Sequence, residues 1–179
     1  KGSATNSNNE ITNGSLGEVF ESIGLQIGYA MPVADTFLLG LDITLIPGDG
    51  SIKLDAGSNE NNNDDITIDV GDIITGSIMP MFAVSDNSAI YAKYGISQAG
   101  LSWTGDVDTA LNSSVRGETY SIGTRTQFPN GAFLQTEFGY SDFDTINVTQ
   151  LTGSSDDQQD GGNTGKASPE RVYGSFAVG

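Results

Sequence analysis

Two residues of opposite charge, Arg125 and Glu137, flank the turn Pro129-Asn130-Gly131 in the stretch SIGTRTQFPNGAFLQTEFGYSDFD, residues 121–144. If Phe128 and Ala132 close a three-residue hairpin, Gln135 stands opposite Arg125, and Glu137 is its diagonal neighbour within reach of a long side chain. A pair held in this way can line a constriction and select ions. It can equally tie two strands together as a lumen ion pair that fixes their register, and that plainer use is the commoner one. Asp42, Asp69 and Lys93 occupy comparable positions in other strands, so the five charged residues form one candidate polar network.

Other chemistry is excluded by composition. The chain has no His and no Cys, so it holds no Ser-His-Asp or Cys-His arrangement, no His- or thiolate-bound zinc and no disulfide. No enzymatic activity and no cofactor are expected. The 23 acidic residues outnumber the 7 basic ones, for a net charge of −16. That balance argues against a nucleic-acid partner, which requires Lys and Arg to neutralise phosphates, and against docking on an anionic lipid surface. The acidic runs SNENNNDD, GDVD, SDFD and SSDDQQDGG offer oxygen ligands to Ca²⁺, but none has EF-hand spacing, and a solvated surface is the plainer reading. Asn112 and Asn147 begin glycosylation sequons by pattern alone.

The elements that position these residues are strands. Around the turn, Tyr120, Ile122, Phe128, Leu134, Phe138 and Tyr140 alternate with Ser121, Gly123, Arg125, Gln127, Gln135 and Glu137. The same two-residue period runs through residues 16–31, 36–46, 66–84 and 89–103, and a last run, RVYGSFAVG, ends the sequence. Leu38, Ile46 and Ile73 interrupt the polar face. Pro80 calls for a bulge or break, and the parity of Leu101 and Trp103 suggests a bulge near Gln98-Ala99-Gly100. Short connections (PVAD, SDNSA, PNG) alternate with long ones at about 47–65, 104–115 and 147–169. That alternation is expected of an up-and-down barrel with tight turns at one end and extended loops at the other. If all three short turns are three-residue loops, Pro32 pairs with Thr36, Ser85 with Ala89 and Phe128 with Ala132, and every apolar set stays on one face.

Residue size decides which face is inside. The apolar face is nearly free of charge for a lipid-spanning length of about 9–11 residues per strand. The other face is too rich in Gly, Ser, Thr and Ala, and too poor in charge, to meet bulk water, but it suits a narrow lumen. Tyr29, Tyr94, Phe128, Phe138, Tyr140 and Trp103 are candidates for interfacial aromatic girdles.

Residues 117–179 then resemble the small OmpA-like and opacity-type outer-membrane β-barrels. The likeness is carried by Leu134, Glu137, Phe138, Tyr140, Asp142 and Phe143 in the penultimate strand, and by the closing RVYGSFAVG. The resemblance implies a single domain over residues 1–179, an all-β up-and-down antiparallel transmembrane β-barrel of the eight-stranded type. About seven strands are present, so the sequence is expected to lack a first strand and the terminal aromatic residues. Residues 1–14 are then the remainder of an external loop. It also implies residence in the outer membrane of a Gram-negative bacterium, with lipid and lipopolysaccharide as surroundings. The role would be structural or in surface interaction, with a ligand or protein bound through acidic external loops. A narrow porin-like pore for small solutes and a soluble β-rich module of an extracellular assembly are the alternatives.

Overall fold

A computed structural model describes residues 2–5, 11–14, 17, 19, 21–48, 50–54, 66–104, 113–150 and 163–179. All regular structure among them is strand. The long strands are β3 (Leu25–Ala34), β4 (Phe37–Ile46), β6 (Ile66–Ser85), β7 (Ser88–Thr104), β8 (Ser114–Gln127), β9 (Phe133–Phe143) and β12 (Glu170–Val178). They lie in the order β12-β9-β8-β7-β6-β4-β3, each antiparallel to its neighbours, so the fold is an up-and-down meander.

Short strands β1 (Gly2–Thr5), β2 (Ile11–Gly14), β5 (Gly50–Leu54), β10 (Ile146–Gln150) and β11 (Asn163–Ala167) occupy stretches expected to be loop. β5 pairs with β6, and the other four form a second sheet in the order β10-β11-β1-β2. The long connections are therefore partly ladder, because strands continue past the length that the apolar pattern marks.

The β8–β9 hairpin has the register expected from sequence. The Phe128 N–H donates to the Ala132 carbonyl at 2.7 Å, and Arg125 stands opposite Gln135. Gly131 adopts a left-handed φ of 87°, which side-chain-bearing residues rarely adopt. The other two turns are tighter than expected. Ala34 pairs with Phe37 and Ser85 with Ser88, leaving Asp35-Thr36 and Asp86-Asn87 as two-residue tips beside a register shift. Along the strands Pro32 faces Leu38 and Ala83 faces Ala89, a slip of two residues from the expected pairing. An even slip leaves each side chain on its expected face.

Pro80 causes no bulge. It faces Leu39 of β4, and the β6–β7 register is the same on either side of it, at Ile78–Tyr94 and Met81–Tyr91. Nor does β7 carry a bulge, since its ladder with β8 runs unshifted from Ser88 to Gly100. The extra residue lies on β6, where the register moves between Val70–Leu101 and Ile73–Ala99. There Gly48 packs on the backbone of Gly71, and its N–H donates to Asp72 Oδ1 at 3.0 Å.

The faces divide as the alternation requires, with the apolar set outward. Ile27, Leu41, Ile78, Ile96, Ile122 and Phe138 are exposed, whereas Asp42, Lys93, Ser97, Thr119, Gln135 and Glu137 are buried. Side chains of the buried face meet across non-adjacent strands, so the sheet curls around that face: Gln135 of β9 reaches Gln26 of β3. Among the described residues it does not close into a barrel: β3 and β12 share no ladder and each has one free edge.

Candidate functional site: a charged cluster inside the curled sheet

Inward positions on five strands converge on Lys93. Its Nζ lies 3.0 Å from Asp42 Oδ2 and 2.8 Å from Glu137 Oε2, and the three side chains are only 4, 1 and 7% exposed. Glu137 also accepts hydrogen bonds from the phenols of Tyr91 (2.9 Å) and Tyr173 (2.8 Å). Gln26 Nε2 donates to Asp42 Oδ2 at 3.0 Å, and Gln26 Oε1 accepts from Gln135 Nε2 at 3.2 Å. Lys93 lies 5.9 Å from the Tyr91 ring centroid, and the Arg171 guanidinium lies 4.5 Å from that of Tyr173.

Pairing and hydrogen bonding make such burial of charge tolerable, because an isolated ion in a dry interior is costly. Glycines provide room. A Cβ on Gly139 would collide with the Tyr173 ring, and one on Gly123 with Tyr91. Among the described residues, the buried Asp42 Oδ1, Ser77 Oγ, Ser121 Oγ and Gln135 Oε1 have no hydrogen-bond partner.

The interior is layered along the strands. Toward the short turns, Met79, Met81 and Tyr91 pack with Ala30, Leu38 and Ala89. The charged cluster follows. Next comes a row of hydroxyls across four strands, Thr75–Ser97 (2.7 Å), Ser97–Thr119 (2.6 Å) and Thr119–Ser141 (2.8 Å). Toward the long connections, Ile73, Ala99, Val115, Phe143 and Ile146 form an apolar layer with Ile46, Val70, Leu101 and Trp103. Charge and hydroxyls thus lie between two apolar layers.

Of the five residues expected in the network, the structure brings Asp42, Lys93 and Glu137 together. Arg125 and Asp69 need correction. Arg125 does face inward, but it stacks on Phe133 with its guanidinium carbon 4.0 Å from the ring centroid, and Glu137 is engaged by Lys93 instead. Asp69 pairs with Ser102 and lies on the outer side of β6, because the bulge at Gly71–Asp72 reverses the parity beyond it and turns Val70 inward. Trp103 also departs from expectation, packing inside rather than in an outer girdle.

Sequence reasoning missed Gln26, Tyr91 and Tyr173 as partners, although each falls on the small-residue parity, where an aromatic or amide is the signal. It also missed an outer-face trio in which Glu118 accepts hydrogen bonds from Tyr94 and Tyr120, whose ring centroids are 5.3 Å apart.

The acidic runs at 58–65, 105–108 and 154–162 and the sequon at Asn112 lie outside the described residues. Among the described residues, no group of three or more Asp or Glu side chains is placed to hold a metal ion. No family model, no curated protein and no solved structure matches this chain.

Proposed function

We propose that this protein is an integral β-barrel of a Gram-negative outer membrane. In this reading the outward apolar face meets hydrocarbon, the interior is a structural plug, and the acidic connections at one end form its interaction surface. The observation that carries the reading is the inversion of faces: Ile27, Ile78, Ile122 and Phe138 lie outward while Lys93, Asp42 and Glu137 are buried. In water an exposed apolar area of this extent is an aggregation or docking liability, and in a bilayer it is the expected exterior of a spanning barrel.

A filled interior favours an anchor or surface-interaction role over a pore. An eight-stranded barrel has little more space than its side chains occupy, and here both ends of the described interior are apolar. The test is reconstitution into lipid bilayers with current recording and detergent-free solubility measured in parallel. This reading expects insertion with no steady conductance. Ion currents altered by Lys93→Ala would favour the pore, and a protein monodisperse without detergent would favour the soluble module.

A further inference from the structure

On the outward face, successive cross-strand rows grade from apolar to charged toward the connection end. Ile122 stands opposite Phe138. The next row holds Tyr94, Tyr120 and Tyr140, and the one after it Glu118, Asp142 and Glu170. In the last, Arg116 stands opposite Gln98, and the Asp144 N–H donates to the Arg116 carbonyl. Tyrosines gather where hydrocarbon gives way to lipid headgroups. In the membrane reading proposed above, on which this inference rests, the two charged rows therefore lie at headgroup depth.

Arg116 is exposed, and among the described residues it has no ion-pair partner. Glu118, two residues along the same face, accepts instead from the phenols of Tyr94 and Tyr120. Arg116 stands where two grooves of the outer surface meet. One, of about 290 Å³, is lined by Glu118, Asp142 and Asp144. The other, of about 700 Å³, passes Gln98 and reaches Ile96, Ile74 and Gly76. Gly76 opens the floor of this second groove: it is outward on β6, opposite Ile96, and a Cβ there would meet nothing within 4 Å. One guanidinium thus separates an acidic groove from an apolar one that descends to the hydrocarbon level.

We propose that Arg116 and its two grooves bind one lipid of the surrounding bilayer, with a headgroup that carries a phosphate and a primary ammonium. A simple anion matches this place poorly, because carboxylates flank the guanidinium and the chain carries a net charge of −16. A zwitterionic headgroup uses both signs. The guanidinium fork donates to two phosphate oxygens. The ammonium donates to the carboxylates of Asp142 and Asp144, which a quaternary amine, having no N–H, does not do. An acyl chain of the same lipid lies over Gly76 between Ile74 and Ile96, filling the notch in the apolar face.

The test is native mass spectrometry of the detergent-purified protein, stripped of lipid and then given equal amounts of phosphatidylethanolamine, phosphatidylcholine and phosphatidylglycerol with identical acyl chains. The expected result is one phosphatidylethanolamine retained in preference to the other two, and not displaced by free phosphoethanolamine, which lacks the chain. Arg116→Gln is expected to lower that retention by about tenfold or more, the loss of one charge-assisted contact. Gly76→Leu, which fills the notch and leaves the head contacts in place, is expected to weaken it as well. Urea unfolding of both variants should match the unaltered protein, since one side chain is exposed and the other enters open space.

Equal retention of all three lipids, preference for the glycerol or choline lipid, displacement by free phosphoethanolamine, or retention indifferent to Arg116→Gln would each overturn the proposal. A protein that inserts into vesicles yet holds these lipids alike defeats this inference alone. One that fails to insert defeats the membrane reading beneath it.

Discussion

On β7 the two faces of one strand live by opposite rules. Tyr91, Lys93, Ser97 and Ala99 are buried and in part polar, whereas Ile90, Tyr94 and Ile96 on the opposite parity are exposed and apolar. In a water-soluble sheet the greasy face turns in and the charged face turns out. Here the buried charge is partnered: one lysine bridges two carboxylates, and two phenols and an amide donate further hydrogen bonds to them. Outside, apolar side chains extend from strand to strand over the described sheet. The lesson is that alternation alone does not say which face is core. The size and charge of the second face decide it.

The sharpest way to break the inner half of this comparison is Lys93→Met. It leaves Asp42 and Glu137 together, buried and uncompensated, and the expected loss is about 3–5 kcal/mol of unfolding free energy, read from urea denaturation of the folded protein in lipid or detergent. Adding Asp42→Asn and Glu137→Gln to that variant is expected to recover much of the loss, because the unpaired charges are then gone. If Lys93→Met alone is neutral, the cluster is wetter than its geometry implies.

The outer half is probed by Ile78→Lys, between Leu41 and Tyr94 on the exposed face. In a bilayer the expected cost is about 2–4 kcal/mol near the midplane. In water the same exposed substitution falls within about 0.5 kcal/mol. The size of the effect therefore distinguishes the two media.

Packing between the faces comes next. Gly123→Val places a side chain against Tyr91 and the Thr136 carbonyl, and the displacement of Tyr91 from Glu137 is expected to cost about 1–3 kcal/mol. Ile122→Val, the adjacent outward position, serves as the control and is expected to be nearly silent. The smallest effect is at the turn. Gly131→Ala forces a side chain into a left-handed φ, at a cost of about 1 kcal/mol, seen as faster unfolding without a change of fold.

Much of this fold was legible in the sequence, because face parity depends only on a two-residue period. Ile122, Leu134 and Phe138 turn out and Gln135 and Glu137 turn in, as their spacing requires, and Pro129-Asn130-Gly131 specifies its turn through one glycine. What was hidden depends on longer-range geometry. The tips Asp35-Thr36 and Asp86-Asn87 close tighter turns than a parity argument can distinguish, since a slip of two preserves the faces. The bulge at Gly71–Asp72 is one residue deep, yet it moves Asp69 from the inner to the outer side. Leu38, Ile46, Ile73, Leu101 and Trp103 look like errors in the polar face until the sheet curls and stacks them into plugs. The choice of Lys93 over Arg125 as partner for Glu137 likewise follows from curvature, which brings β7, β4 and β9 together across the interior.

The central claim is that hydrocarbon is the medium beyond the outward face, and a nitroxide scan of residues 132–140 in lipid vesicles addresses it most directly. The expected result is alternation, with labels at Leu134, Thr136, Phe138 and Tyr140 open to dissolved oxygen but shielded from a water-soluble paramagnetic reagent, and labels at Gln135 and Glu137 shielded from both. Labels at Leu134 and Phe138 that respond fully to the aqueous reagent, or that are immobilised in a protein core, would contradict it.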